Sequence, residues 1–264
     1  MGRPLQLPLS GAPPRQAGIA IVPVGGIPEV RGGDDLAGVL IGALETTGPT
    51  PVDGDVVVVA SKVVSKALGR AIGEMPPAGE RARELASATG FDADFVELIL
   101  SESREVLRAR PNVLVVETRH GFVCANAGID RSNTGKGGVA LLLPEDSDGA
   151  ARELRGRIAE RFGVEVAVLI SDTFGRPFRN GLVNVAIGGS GIRPIRDYRG
   201  QADPQGHILE GTELAVADEL CAAAELVMNK LDRVPLAIIR GYQWEAGDGS
   251  VRPLLRDPAH DYFR

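Results

Sequence analysis

Residues 171 to 181 read SDTFGRPFRNG, and the nine positions from Asp172 to Asn180 hold a carboxylate (Asp172), a hydroxyl (Thr173), two guanidinium groups (Arg176 and Arg179) and an amide (Asn180). A stretch that only reverses the chain needs Gly175 and Pro177 and little else. Asp172 and Thr173 are hard oxygen donors of the kind that Mg²⁺ and Mn²⁺ prefer. Arg176 and Arg179 have the planar fork that clamps a phosphate or a carboxylate through two bonds. The plainer explanation is a surface turn closed by a salt bridge. The convergence of so many polar types in one loop favours a ligand.

Two other polar stretches follow apolar runs. SKVVSK (61–66) comes directly after DVVVVA, and its Ser61, Ser65 and Lys66 could hydrogen-bond phosphate oxygens. A helix cap followed by a solvated lysine would look the same. ANAGIDRSNTG (125–135) carries Asp130 and Asn133 between Gly128 and Gly135. Those side chains suit a divalent ion beside phosphate, although an Asx-type turn uses the same residues. Together the three stretches offer two carboxylates, a lysine and two arginines, the inventory of two divalent ions bridged by phosphates in phosphoryl transfer. Asp130 and Asp172 are therefore expected to serve one cluster although 42 positions (172 − 130) separate them.

The common signatures are missing. GIDRSNTGKGG has a Gly-Lys pair at 135–136, but Gly137 follows and the P-loop spacing is wrong; GSGIRP at 189–194 ends in Pro194 where a dinucleotide fingerprint needs glycine or alanine. There is no H-E-x-x-H, G-x-S-x-G or C-x-x-C, and three histidines (His120, His207, His260) are too few for a histidine-rich metal site.

The elements that must hold these residues can be read from hydrophobic patterning. IAIVPV (19–24), DVVVVAS (55–61), NVLVVE (112–117), EVAVLIS (165–171) and PLAIIRG (235–241) are continuous β-branched runs, expected as strands covered on both faces. Helices are expected over 34–48, 79–91, 92–106, 144–163 and 211–231, the last with Thr212 as N-cap. Alternating strands and helices predict an α/β architecture with α+β character. The stretch 172–210 is rich in Gly, Arg and Asp and fits short antiparallel strands better than a βαβ unit, so a plain Rossmann topology is not expected. The organisation expected is a flexible segment 1–18, one domain over 19–244, and a polar tail 245–264 lying along the surface.

Composition narrows the function classes. The 264 residues are 44% hydrophobic but only 4% aromatic, so a sizeable core must be built from Val, Ile, Leu and Ala. A net charge of −6, from 29 basic and 35 acidic residues, argues against a general nucleic-acid binder but permits a local basic pocket. Cys124 and Cys221 form no disulfide framework or zinc pattern. The Pro-rich start lacks the apolar segment of a secretory signal, and no apolar run reaches the ~18 residues of a membrane span. A cytoplasmic protein is expected.

Taken together, GDVVVVASKVVSKALGR, AGIDRSN, ISDTFGRPFRNG and ADELCAAAELVMNK closely resemble the coenzyme F420-0:L-glutamate ligase (F420 gamma-glutamyl ligase) family, from about Ile19 to Gly241. The resemblance implies that family's mixed-sheet fold, an intertwined homodimer, and GTP- and divalent-metal-dependent addition of L-glutamate by γ-linkage to coenzyme F420-0. It implies GTP contacts at Val22, Pro23, Val24, Gly25, Ser61, Lys66 and Asn133, and metal ligation by Asp130, Asp172 and Thr173. The cofactors implied are Mg²⁺ or Mn²⁺, two ions, with K⁺ a further candidate. Arg176, Arg179 and Asn180 share the motif without a carried-over role. Some archaeal relatives place a glutamine of the second metal near Lys230, and an ammonium cannot ligate metal; Lys230 is expected either at the GTP phosphates or as a solvated lysine favoured near a helix C-terminus. The sequence stops at Arg264, and the expectation is a ligase domain that either lacks the nitroreductase-like domain of mycobacterial relatives or is truncated before it.

The implied route passes the γ-phosphoryl of GTP to the acceptor's terminal carboxylate. The amine of glutamate attacks the acyl phosphate and phosphate leaves, so the protein mainly positions groups and neutralises charge. The rival readings are another metal- and nucleotide-dependent amino-acid ligase or a phosphatase on the same scaffold, and a catalytically idle nucleotide-binding module.

Overall fold

In a computed structural model, residues 18–131 and 140–261 are described. The strands are β1 (Ala20–Val24), β2 (Val56–Ala60), β3 (Ala71–Ile72), β4 (Ser103–Arg110), β5 (Val113–Thr118), β6 (Val123–Ala125), β7 (Ala140–Leu141), β8 (Ala167–Arg176), β9 (Arg179–Ser190), β10 (Arg196–Asp197), β11 (Glu213–Leu214) and β12 (Leu236–Arg240). The helices are α1 (Leu36–Thr46), α2 (Ser61–Ala67), α3 (Glu80–Thr89), α4 (Ala93–Ser101), α5 (Ser147–Phe162) and α6 (Val216–Met228).

The main sheet has the order β1-β12-β2-β8-β9. Only β2 and β8 run parallel, with Val56 opposite Ala167; the other pairs are antiparallel. This mixed order is not a Rossmann sheet. Val56 to Val59, Ala167 to Ile170 and Leu236 to Ile239 are at most 1% exposed, because helices and loops cover both faces of the central strands. Each Val, Leu or Ile among them contributes roughly 1.5–3 kcal/mol by leaving water. β5 differs from expectation: it alternates buried and half-buried residues and joins β4 and β6 in a separate three-stranded sheet.

Helix boundaries follow local chemistry where capping residues are present. Asp35 caps α1 by accepting from the Gly38 N–H (3.1 Å), and Asp146 caps α5 by accepting from the Gly149 N–H (2.7 Å). Gly163 ends α5 at φ +69°, the left-handed conformation glycine adopts freely.

Two helix expectations fail. The helix placed over 92–106 stops at Ser101, because Ser103–Arg110 pairs as a strand with β5. The helix placed over 211–231 begins only at Val216, without a side-chain cap. Its first residues are taken by β11, whose Glu213 and Leu214 pair with Asp197 and Arg196, so Thr212 is not an N-cap.

α6 packs on the main sheet through Ala217, Leu220, Cys221 and Ala224, and Cys221 is fully buried there as a small side chain. The tail from Glu245 lies against the β9 side of the sheet, where Asp148 accepts from the N–H groups of Gly189 (2.9 Å) and Val251 (3.3 Å) and from the Ser250 hydroxyl (2.8 Å). No helix among the described residues is long and apolar enough to cross a membrane.

Candidate active site

The parallel pair β2–β8 carries the polar stretches to one end of the main sheet. β2 runs straight into α2, so Ser61 and Lys62 stand where the strand's last carbonyls give way to a helix start. β8 does not stop at Ser171. It continues through Asp172 and Thr173 as a strand paired with β9, with Val185 opposite Asp172 and Asn184 opposite Thr173. A cleft of about 640 Å³ opens here. Its polar lining includes Glu29, Ser61, Lys62, Lys66, Asp172, Thr173, Asn184, Glu225, Lys230 and Arg233, and its apolar wall includes Ile27, Val30, Val63, Met228, Leu231 and Val234.

Inside the cleft the Ser61 hydroxyl donates to the Asp172 carboxylate (2.8 Å). The Lys230 ammonium donates to the Thr173 hydroxyl (2.8 Å), and that hydroxyl donates to the Asn184 side-chain oxygen (2.6 Å). Lys66 pairs with Glu29 across the rim (2.5 Å). Lys62 pairs with Asp130. Asp130 is held by a backbone bridge to Leu141, just after the chain has turned through three residues with positive φ: Asn126 (+53°), Ala127 (+55°) and Gly128 (+68°). Left-handed backbone at two residues other than glycine is strained and clusters at functional sites. A Cβ at Gly128 would meet the Leu143 side chain at 2.9 Å, so that position demands glycine on two counts.

The Asp172 carboxyl stands between opposing influences. Burial pushes the Asp172 carboxyl up to about 6, and the charge of Asp130 pushes in the same direction; the Ser61 hydroxyl, the Thr173 N–H and the Lys230 ammonium oppose them. Burial first, and then the Asp172 charge, push the Cys124 thiol up to about 12, so Cys124 is an inert neighbour. Two mutually repelling carboxylates, one withdrawn from water, with hydroxyl oxygens beside them, are donors of the kind a divalent cation takes. Lys62 and Lys230 stand at Asp130 and Thr173, and no group of three or more His, Cys, Asp or Glu gathers among the described residues.

A family model described as F420-0:gamma-glutamyl ligase matches residues 26–241. The chain belongs to that family. It is 50% identical to the coenzyme F420:L-glutamate ligase of Methanothermobacter thermautotrophicus over 252 residues, covering 94% of this chain and 99% of that protein. It is 45% identical to the ligase of the same name from Methanopyrus kandleri over 243 residues (89% and 94%), and 43% identical to that of Archaeoglobus fulgidus over 249 residues (93% and 96%).

Within this member of the F420-0:gamma-glutamyl ligase family, the sequence-predicted residues do not all meet. Ser61, Lys66, Asp172, Thr173 and Lys230 line the cleft, and Asp130 is close enough for its charge to act on Asp172. Val22, Pro23, Val24 and Gly25 lie on β1 and its exit, outside a lining that begins at Ile27. Ser65 is 2% exposed and does not line the cleft. Arg176 and Arg179 face each other at the far end of the β8–β9 hairpin, and neither they nor Asn180 line the cleft. Arg176 donates to the backbone carbonyls of Asn180 (2.6 Å) and Gly181 (3.3 Å). Asn133 lies outside the described residues. Sequence reasoning missed Lys62, which sits in the quoted SKVVSK but beside more conspicuous partners. It also missed Glu225, which sits unremarked in the quoted ADELCAAAELVMNK, and Glu29, Asn184 and Arg233, which lie outside the quoted stretches and which only the fold brings in.

Proposed function

We propose that this chain is a coenzyme F420-0:L-glutamate ligase, adding L-glutamate by γ-linkage to F420-0 with GTP in the cytoplasm. One observation carries the reading: Asp172 and Thr173 project from β8 into a cleft whose walls hold Lys62, Lys66, Lys230 and Arg233. An anionic polyphosphate would draw the lysines among those cations from their present partners Asp130, Glu29 and Thr173, and Ile27, Val30, Met228, Leu231 and Val234 offer an apolar surface for a planar base.

In the proposed reaction the acceptor's terminal carboxylate attacks the γ-phosphorus of GTP, releasing GDP. The amine of glutamate then attacks the acyl phosphate carbon, losing its proton as the amide forms and phosphate departs. Asp130, Asp172 and Thr173 would hold Mg²⁺ or Mn²⁺, which would supply positive charge at the phosphate oxygens. Lys66 exchanges Glu29 for a phosphate oxygen and acts as a mobile point charge. Ser61 keeps the Asp172 carboxylate oriented into the cleft. Lys230 places an ammonium on Thr173, at the edge of the same cluster, where it neutralises phosphate oxygens. The acyl phosphate must be shielded from water. An exposed hairpin tip with Phe178 (85%) and Leu182 (67%) supports a homodimer that would cover part of the molecule.

Mass spectrometry of F420-0 after incubation with GTP, Mn²⁺ and L-glutamate tests the reading. A gain of one or more glutamyl units with stoichiometric GDP and phosphate is expected. GTP breakdown without a mass gain would mean a phosphatase, and equal product yield with ATP would remove the GTP assignment.

A further inference from the structure

The Thr173 hydroxyl has one proton, and where that proton points decides what the oxygen can bind. In the structure it points to the Asn184 side-chain oxygen (2.6 Å), which leaves the lone pairs to the Lys230 ammonium (2.8 Å) on the cleft side. Asn184 is 5% exposed, and its amide nitrogen donates to the Glu225 carboxylate (2.9 Å) and to the Ser171 hydroxyl (3.0 Å). An amide is nearly symmetric in shape but not in hydrogen bonding. A carboxylate only accepts, so Glu225 requires the nitrogen on its own side and sends the oxygen towards Thr173. Turned over, the amide would donate to Thr173 and drive the hydroxyl proton towards the cleft, where it would repel any cation.

We infer that Glu225, acting through Asn184, is a positioning pair that keeps the lone pairs of Thr173 turned to the cleft so that a cation can take them. The cation already seen there is the chain's own Lys230; for a divalent ion the inference rests on the metal assignment proposed above. The three residues come from β8, β9 and α6, so helix and hairpin are tied together at the oxygen they prepare. Partners one step removed from a ligand commonly tune metal affinity in this way.

The test is Mn²⁺ titration of the purified chain without substrates, reading free Mn²⁺ by electron paramagnetic resonance. Thr173→Val and Asn184→Leu are each expected to weaken binding about tenfold or more. The double variant should bind no more weakly than Thr173→Val, because Asn184 acts only through that hydroxyl. Glu225→Gln can donate as well as accept, which lifts the demand for the Asn184 nitrogen on that side; it should weaken binding by no more than Asn184→Leu does, and not at all in a Thr173→Val background. If Asn184→Leu does not fold, as judged by circular dichroism, Glu225→Leu, at the half-buried cleft side of α6, replaces it in the same cycle. Equal losses with and without the Thr173 hydroxyl would overturn the inference while leaving the metal assignment in place. Absence of saturable Mn²⁺ binding by the unaltered chain would overturn the metal assignment and this inference with it.

Discussion

The β8–β9 hairpin has two ends that share one motif and behave differently. At the inner end Ser171, Asp172 and Thr173 leave the buried sheet and enter a network with Ser61, Asn184, Glu225 and Lys230. At the outer end Pro177 fixes one turn position and Phe178 takes φ +61°, a conformation usually left to glycine. There Arg176 is occupied with the backbone of its own turn, and Phe178 is 85% exposed. Thr173 and Arg176 are three residues apart in sequence, but the Thr173 hydroxyl bonds to side chains of β9 and of the segment after α6, whereas Arg176 bonds to the backbone of its own turn. What separates the two ends is distance from the covered part of the sheet: a polar group there must be paired or held for a ligand, whereas at the tip water serves it.

The largest expected effect tests the inner end. Asp172→Asn should lower ligation by about a hundredfold or more, as removal of a group that organises charge commonly does. It should also stabilise the metal-free protein. An acid whose folded pKa is raised from the usual carboxylate value to about 6 opposes folding when ionised. That penalty is present above pH 6, shrinks as the pH falls, and is gone below the unfolded value near 4. In chelator the variant should therefore melt above the unaltered chain at pH 8, by at most about 3 kcal/mol, and the gap should close towards pH 4. A variant less stable at pH 8, or one that still turns over at the normal rate, would contradict the account of the inner end.

Lys230→Gln comes next. Losing a charge-assisted contact beside the proposed phosphate position should raise the KM for GTP about tenfold, or ~1.4 kcal/mol, and shift the metal dependence. If Lys230 serves only as a favourable charge beyond α6, both kinetic parameters stay put and stability falls by ~0.3–1 kcal/mol. Arg176→Ala is the counterpart at the outer end. It should change the KM for GTP by no more than about twofold, as surface substitutions do. A loss as deep as that of Asp172→Asn would mean that the tip reaches the site of another copy of the chain, and the contrast between the two ends would fail.

The same contrast explains what could be read beforehand. The central strands β2, β8 and β12 announce themselves as unbroken apolar runs, because covered strands need no alternation. Asp172, Thr173, Ser61 and Lys66 were legible because they directly follow such runs. Arg176 and Arg179 looked equivalent to them, since the sequence does not show that the strand continues past Thr173 and carries them out to a tip. β4 and β11 were hidden inside helical patterns; their pairing partners, β5 and β10, are elements whose proximity is a tertiary fact. Asn184 and Glu225 lie in ordinary strand and helix sequence 41 positions apart. Asn184 lies outside every quoted stretch and Glu225 lies within ADELCAAAELVMNK as one more helical glutamate; they acquire meaning only when α6 packs on the hairpin.

The smallest effect concerns the rim. Lys66 is held by Glu29, whose carboxyl sits below its usual value chiefly because of that hydrogen bond. The pair is partly exposed, with Glu29 67% open to solvent, so its strength falls within the ~0.2–1 kcal/mol of surface ion pairs. In the proposed reaction Lys66 must leave Glu29 before it reaches a phosphate, and Glu29 itself repels the incoming polyphosphate. Glu29→Gln should therefore tighten GTP binding, by no more than about fivefold. The gain should shrink as salt is raised, because both contributions are screened. It should disappear in a Lys66→Met background if release of Lys66 is its main source. If GTP binding weakens instead, Glu29 is holding Lys66 in position rather than competing for it, and the rim is already set for the nucleotide before it arrives.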